Sequence, residues 1–434
     1  MNTYSHNEMH SQRQLNASTL LAICLVLPCV VGAEINSLVV SFGLLFLPTI
    51  TKEFHPRRLT YVLTPLAFIF VLGMRGFTIN APYDAFKDAW YVLKIVLLLA
   101  TGYYLMYLVK NHLLLYRAIA LSGAYAAIWH LSQVVIEFGP TKTMQDVRLS
   151  GIIGYFLTAI ALALLLGSNR IYKRLGFSLA CYLLLVSICA TSLAISLSRT
   201  YIIGFLALFL ILRIRNLREL SMLLVASVVV ILISITMLDS PDESLSPANA
   251  SLGDKLLNSL TEVMVSDYDD LASINDRWRG FEAYKALNTF LGTSTINQSI
   301  GGGFGALVDI GLVMNLNGAE LQFLPMLHNG YLYVLVKYGM VGIVFYAILF
   351  RRLWRTEFNG TSNMAEYLFF RRFSRGLIVV TLLSTFVITG IFNKEILDSI
   401  IFLLGTMLFY GHLSPARRVP DFGDGRYLAS QQRQ

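Results

Sequence analysis

A histidine and an asparagine stand side by side at positions 328 and 329, where an acidic stretch ends and a long apolar run begins. A neutral imidazole near a helix N-terminus can accept a proton from a hydroxyl, because the helix dipole disfavours the imidazolium. Ionisable side chains at a membrane boundary are candidates for function. The alternative is an ordinary polar cap on an apolar helix. His328 and Asn329 alone support the functional and the capping interpretations equally.

Two arginines interrupt apolar or acidic sequence elsewhere. Arg199 lies between two apolar runs, and Arg277 lies beside Asp276 in the acidic stretch. A guanidinium is permanently charged and binds two phosphate oxygens at once, so two of them could hold a diphosphate without a metal ion. The alternatives are that Arg199 reaches toward lipid headgroups and that Arg277 forms a salt bridge with Asp276 or Glu282.

The composition identifies the solvent around these residues. Hydrophobic residues make up 56% of the 434 residues, charged residues only 14%, and the mean hydropathy is +0.62. This balance excludes a soluble globular protein and predicts a polytopic membrane protein. The four cysteines lie inside apolar runs, which indicates packing and neither a disulfide framework nor a zinc site.

The apolar runs predict an all-α membrane protein with about 12 transmembrane helices, taking about 20 residues as the length of a span. The segments are 19–34, 37–50, 60–74, 89–109, 113–136, 149–167, 175–197, 201–214, 219–238, 330–350, 376–392 and 396–412. Helices 1–9 therefore occupy 19–238 and helices 10–12 occupy 327–412. The polar tails are 1–18 and 413–434, and one long connection covers 239–326.

The basic residues predict the orientation. With the N-terminus inside, they concentrate in connections on that side, at 52–58, 110–117, 170–174, 213–218 and 351–375. This asymmetry places both termini in the cytoplasm and the long connection outside. The net charge of +8 is therefore mostly a topology signal, and its spread over several loops argues against a nucleic-acid partner.

The long connection is acidic and is predicted to fold as a cap over the membrane domain, because an unstructured loop of this length is uncommon. Residues 252–264 and 277–290 are compatible with helix. Four glycines within 301–305 lack the strand and the Lys-Ser/Thr of a phosphate-binding loop. They favour a tight turn whose backbone approaches a substrate or a headgroup.

Other polar residues carry weaker expectations. Lys337 is predicted to face a cavity or to pair inside the protein. Asp84 and Asp88 are expected in a solvated outer loop, with an acceptor groove as the alternative. Tyr331 and Tyr333 are expected as interfacial anchors. The acidic cluster at 267–270 does not have the spacing of a calcium loop, so no metal is assigned.

Together these motifs resemble the O-antigen ligase and polymerase superfamily of bacterial polysaccharide assembly, over roughly residues 190–350. The motifs that carry the resemblance are Ser198-Arg199 at the start of a helix, Arg277 four residues before the aromatic Phe281, the glycines at 301–305, and His328-Asn329 followed by Gly339 and Gly342. The aromatic position is often Trp in the family, whereas Phe281 stands here.

The resemblance implies a GT-C-like helix bundle with one large periplasmic loop in the bacterial inner membrane. It implies a metal-independent glycosyltransferase, without a cofactor, that uses an undecaprenyl diphosphate-linked glycan as donor and faces the periplasm. His328, Arg277 and Arg199 are then the expected catalytic residues. Substrate-binding residues are expected at Asn329, Ser198, Arg279 and Gly303.

The acceptor separates two functions within this family. A polymerase adds the growing glycan to another lipid-linked unit, and a ligase attaches the finished glycan to the lipid A core. We favour an O-antigen or exopolysaccharide polymerase, with a chain-length regulator as a further partner. A flippase or other transporter is the alternative from another class, although transporters are typically built from repeats with binding sites near the membrane centre.

Overall fold

The computed structural model describes residues 18–31, 35–36, 39, 43, 57–137, 155–167, 171–196, 198–214, 274, 278–316, 319–355, 364–392 and 396–410. The predicted spans 219–238 and, apart from residues 39 and 43, 37–50 lie outside this description. So do both tails except Ser18, most of the long connection up to residue 277, and the predicted helix at 252–264.

The described part of the first half is helical. Its helices are α1 (Ser18–Val30), α2 (Arg57–Met74), α3 (Gly76–Ile79), α4 (Pro82–Val109), α5 (His112–Glu137), α6 (Tyr155–Gly167), α7 (Ile171–Arg174), α8 (Leu179–Ile195) and α9 (Arg199–Arg213).

The second half combines helices with one hairpin. Its elements are α10 (Trp278–Leu291), α11 (Thr295–Ile300), β1 (Val308–Leu316), β2 (Ala319–Leu324), α12 (Gly330–Trp354), α13 (Met364–Val387), a 3₁₀ turn (Gly390–Phe392) and α14 (Asp398–Tyr410). The helix α10 matches the predicted helix at 277–290. The described elements are mostly helical, as the all-α prediction expects, and the structure adds one hairpin in which β1 and β2 pair antiparallel with Leu316 opposite Ala319.

Long apolar helices confirm an integral membrane protein. Within the described ranges, four helices are long and apolar enough to cross a membrane: Arg57–Ile79, Pro82–Val109, His112–Ile136 and Gly330–Trp354. Shorter apolar helices include Leu179–Ile195 and Asp398–Phe409. The count of about 12 spans and the GT-C-like arrangement stay predictions.

Small residues set the helix packing. A Cβ atom added at Gly102 of α4 would lie 2.1 Å from the carbonyl oxygen of Phe402, and one added at Gly405 of α14 would lie 2.2 Å from that of Leu99. The backbones of α4 and α14 therefore approach as closely as glycine allows, which is how helices associate in a bilayer.

The helix α4 begins earlier than its apolar run indicates. Pro82 stands at its start and Asp84 in its first turn, and both suit a helix N-terminus. The prediction of a solvated outer loop for Asp84 and Asp88 is therefore wrong. Both residues are helical, and Asp88 is only 2% exposed; its salt bridge with Lys337 compensates for the loss of water.

A break in α12 receives the glycine-rich loop at 301–305. Gly339 has a φ of 66°, and the N–H groups of Gly302 and Gly303 donate to the carbonyl oxygens of Val336 and Lys337, at 2.9 and 2.8 Å. A Cβ atom at Gly339 would lie 2.3 Å from the carbonyl oxygen of Ser299. The tight turn thus brings this loop against the backbone of a membrane helix.

The other side of the same loop is fixed to α2 and α3. The Phe304 N–H donates to the carbonyl oxygen of Gly73 at 2.8 Å, and Asn80 Nδ2 donates to that of Phe304 at 2.7 Å. The Arg75 guanidinium binds Asn297 Oδ1 at 2.7 Å and the Gly301 carbonyl oxygen at 3.1 Å. These contacts join residues 297–304 to the membrane-spanning segment Arg57–Ile79.

Candidate active site at the start of α12

His328 and Glu282 form a close pair at the point where α12 begins. The Glu282 Oε2 atom lies 2.6 Å from His328 Nδ1, and Oε1 accepts the backbone N–H of His328 at 2.5 Å. The Glu282 side chain is 3% exposed and that of His328 is 47% exposed. One edge of the imidazole is therefore held by a buried carboxylate, while much of the ring remains accessible.

Helix α10 presents Glu282 from within its apolar face. Glu282, Ala286 and Phe290 repeat at four-residue spacing, and all three are buried together with Phe281. The opposite face is exposed at Tyr284 and Leu287. The carboxylate therefore points into the packed side of α10, and the hydrogen bonds to His328 satisfy both of its oxygens there.

Thr389, two residues after the end of α13, holds His328 from the other side. The Thr389 N–H donates to the His328 carbonyl oxygen at 2.5 Å, and Thr389 Oγ1 donates to the carbonyl oxygen of Leu327. Thr389 has a φ of 68°, which is uncommon for a β-branched residue. A Cβ atom at Gly330 would lie 2.5 Å from the Thr389 carbonyl oxygen, so this segment has little room to move.

Asn329 acts as the N-cap of α12. Its Oδ1 atom accepts the N–H groups of Tyr331 and Leu332, at 3.0 and 3.2 Å. Such a cap satisfies two backbone donors that a helix start leaves unpaired. It also fixes the direction in which the chain leaves His328, so Asn329 positions the histidine through the backbone.

A second charged cluster lies inside the protein below this point. Lys337 forms a buried salt bridge with Asp88, and Asp88 also accepts the Tyr333 hydroxyl at 2.9 Å and the Gly305 N–H at 2.6 Å. The prediction that Lys337 pairs internally is confirmed. Tyr333 is fully buried, so its prediction as an interfacial anchor is wrong: its hydroxyl completes this cluster.

Tyr331 is also bonded inside the bundle. Its hydroxyl donates to the carbonyl oxygen of Leu382 on α13 at 3.0 Å. This bond and the ring contact with Tyr346 tie the first turn of α12 to the neighbouring helix.

The register of α9 against α13 shows which ends of the bundle meet. Leu208 contacts Gly376, whereas Val380 contacts Gly204, so the two helices run antiparallel. One helical turn toward the N-terminus of α9 corresponds to one turn toward the C-terminus of α13, so the start of α9 lies beside the last turns of α13.

Arg199 therefore begins its helix at the same end of the bundle as His328. Thr385, in the last turns of α13, contacts Gly330 at the start of α12. Ser198 is the N-cap residue of α9 and Arg199 is its first residue; the side chain of Arg199 lies outside the description.

The remaining predicted site residues have different positions. Arg277 lies outside the described residues, and Arg279 is exposed on α10, one turn before Glu282. Gly303 is buried, with its N–H donated to Lys337. Its close approach is to the protein's own backbone, and its contact with a substrate stays a prediction. In the described ranges no group of three His, Cys, Asp or Glu residues could hold a metal ion, and metal independence stays a prediction.

The contact of Glu282 with His328 was not predicted from the sequence, in which Glu282 was expected only as a salt-bridge partner of Arg277. A signal was present: Glu282 occupies the same face as Ala286 and Phe290, where an apolar residue is the rule. A carboxylate in such a position needs an internal partner, and a histidine at a predicted membrane boundary is a suitable one.

Comparison with known families bears on this part of the chain. Residues 184–347 match the family model of the O-antigen ligases. The resemblance seen in the sequence motifs is thereby confirmed. The matched segment, residues 184–347, extends from α8 into α12 and contains Arg199, Glu282 and His328. No curated protein matches the chain.

Proposed function

We propose that this protein is a glycosyltransferase of the bacterial inner membrane. It transfers a glycan from an undecaprenyl diphosphate carrier to an acceptor sugar hydroxyl on the periplasmic face. The observation that carries the proposal is the half-exposed side chain of His328, held at the start of a membrane-spanning helix within the segment that matches the O-antigen ligase model. A group at this level meets both a lipid-borne donor and a water-exposed acceptor.

His328 serves as the general base in this reaction. The acceptor hydroxyl oxygen attacks the anomeric carbon of the donor, and its proton passes to the imidazole. The bond between the anomeric carbon and the diphosphate breaks, and the electron pair leaves with the lipid diphosphate. No covalent intermediate with the protein and no cofactor is needed.

Arg199 and Arg277 stabilise the leaving group. Negative charge grows on the diphosphate as its bond breaks, and permanently charged guanidinium groups lower the energy of that transition state without a metal ion. The start of α9 at the same end of the bundle as His328 supports this role for Arg199. Exposed Arg279 and the α9 cap residue Ser198 are further candidates for contact with the donor.

Among the possible acceptors we favour another lipid-linked unit, which makes the protein an O-antigen or exopolysaccharide polymerase that works with a chain-length regulator. Ligation to lipid A core is the alternative. The basic residues concentrate in alternate connections, and this asymmetry supports cytoplasmic termini and a periplasmic site.

Glycan profiles of cells test both the function and the acceptor. A deletion strain is complemented with wild type or with His328→Ala, and lipopolysaccharide and lipid-linked intermediates are analysed in parallel. We expect single repeat units to accumulate in both the deletion strain and the His328→Ala strain. Long chains left on the lipid carrier with an unmodified core would instead identify a ligase. Intermediates trapped on the cytoplasmic side would indicate transport, and unchanged periplasmic lipid-linked glycans in every strain would contradict glycosyl transfer.

A further inference from the structure

Glu282 binds His328 through both of its oxygens. Oε1 accepts the backbone N–H at 2.5 Å and Oε2 meets the ring nitrogen Nδ1 at 2.6 Å. A carboxylate is an acceptor only, so the hydrogen between Oε2 and Nδ1 belongs to the histidine. In the neutral ring, Nε2 then carries the lone pair.

The surrounding contacts prevent the pair from rearranging. Glu282 is buried on the packed face of α10, and the His328 backbone is held by Thr389 behind it and by the Asn329 cap ahead of it. Because the carboxylate and the backbone are both fixed, the imidazole is restricted to orientations that keep Nδ1 beside Oε2. The other ring edge is the one left for a substrate.

We propose that Glu282 is a positioning residue that fixes the tautomer and orientation of His328, with Nε2 as the atom that receives the acceptor proton. This inference rests on the proposed function. As the proton arrives at Nε2, the ring becomes an imidazolium with both nitrogens protonated, and the Glu282 carboxylate lies against the new positive charge. The bonds made and broken at the anomeric carbon are unchanged, and the proton later leaves Nε2 to water at the exposed edge.

The substitution Glu282→Gln tests this role with little change in size. The glutamine oxygen can still accept the His328 backbone N–H, so the loop keeps its anchor. The amide nitrogen that replaces Oε2 is a donor and cannot accept the Nδ1 hydrogen. It favours the opposite tautomer, in which Nε2 carries the hydrogen and cannot act as a base.

Transfer is measured with purified protein in lipid nanodiscs. The donor and the acceptor are both the lipid-linked repeat unit, extracted from a strain in which the gene for this protein is deleted. We expect Glu282→Gln to lower kcat by about tenfold or more, with little change in KM, since general base catalysis contributes about 10²–10⁴-fold. Asn288→Asp lies on the exposed face of the same helix and replaces an amide with a carboxylate, the reverse of the change in Glu282→Gln. It serves as the control, with an expected kcat within about twofold of wild type.

A double-mutant cycle separates positioning from a general structural role. If Glu282 acts through the imidazole, Glu282→Gln has no further effect in a His328→Ala background, because the group on which it acts is already gone. An equal loss in both backgrounds would overturn the inference, and so would wild-type kcat for Glu282→Gln while His328→Ala is inactive. Full activity of His328→Ala would instead overturn the proposed function itself.

Discussion

Glu282 and Asp88 are both buried carboxylates. Each pairs with a basic residue in or beside α12, and the two basic residues differ in their exposure. His328 keeps 47% of its side-chain surface exposed, whereas the Lys337 side chain is 3% exposed. We call Glu282–His328 the open pair and Asp88–Lys337 the sealed pair. The open pair leaves one ring edge available for a reactant, and the sealed pair leaves no such surface.

The difference indicates that the two pairs along α12 have different roles, one in stability and one in the proposed reaction. Asp88 accepts donors from Lys337, Tyr333 and Gly305, so it joins α4, α12 and the glycine-rich loop. Because every bond is internal, the sealed pair contributes to the fold and holds the kinked α12 in place. The open pair lies at the start of the same helix, where α12 meets α10.

The largest effect on stability is expected from opening the sealed pair. Asp88→Ala leaves the Lys337 ammonium buried without its carboxylate and should reduce the free energy of unfolding by about 3–5 kcal/mol. Thermal unfolding in detergent measures this change. Asp88→Leu combined with Lys337→Met removes both charges and should recover part of the loss. Wild-type stability for Asp88→Ala would show that the sealed pair does not support the fold.

A smaller change in stability is expected at the open pair. Glu282→Gln keeps an acceptor for the His328 N–H and should lower the free energy of unfolding by only about 1 kcal/mol, the size of one hydrogen bond. The same unfolding measurement applies. A loss as large as that of Asp88→Ala would mean that the open pair is also structural, and the comparison would fail.

The smallest effect is expected at Asp309, a fully exposed carboxylate of the hairpin. The Gly311 N–H at 2.8 Å and the Gln322 amide at 3.1 Å donate to it and lower the pKa of Asp309 from its usual 3.8. A lowered pKa in the folded state means that the contribution to stability is present above pH 3.8 and is lost as the pH falls through the lowered value.

Hydrogen exchange of residues 308–324, corrected for intrinsic rates, tests this dependence. Protection of the hairpin should decrease slightly below about pH 4 in wild type, and this step should be absent in Asp309→Asn. A decrease in protection of equal size in Asp309→Asn would show that the pH dependence comes from another group.

The sequence predicted the features that depend on local pattern. The apolar runs identified membrane helices, helix α10 was found within about a residue at its ends, and Lys337 was expected to pair internally because a charge in an apolar helix needs a partner. The hairpin was missed, although Asn317-Gly318 between two runs rich in apolar residues is a known hairpin signal.

The partners themselves could not be predicted, because they depend on contacts between distant parts of the chain. Asp88 was predicted in a solvated loop, whereas the fold surrounds it with Lys337 and the glycine-rich loop. The break in α12 at Gly339 likewise depends on the close approach of Ser299. Glu282 carried a local signal in its apolar face, but the identity of its partner required the fold.

Measurement of glycosyl transfer by purified wild type and His328→Ala, with lipid-linked repeat units as donor and acceptor, tests the central claim most directly. We predict that His328→Ala lowers kcat by about 100-fold or more in protein that still folds, with a loss of about 1–3 kcal/mol in the free energy of unfolding because Glu282 Oε2 loses its partner. Transfer by His328→Ala at the wild-type rate would contradict the account, because the exposed imidazole would then have no part in the reaction.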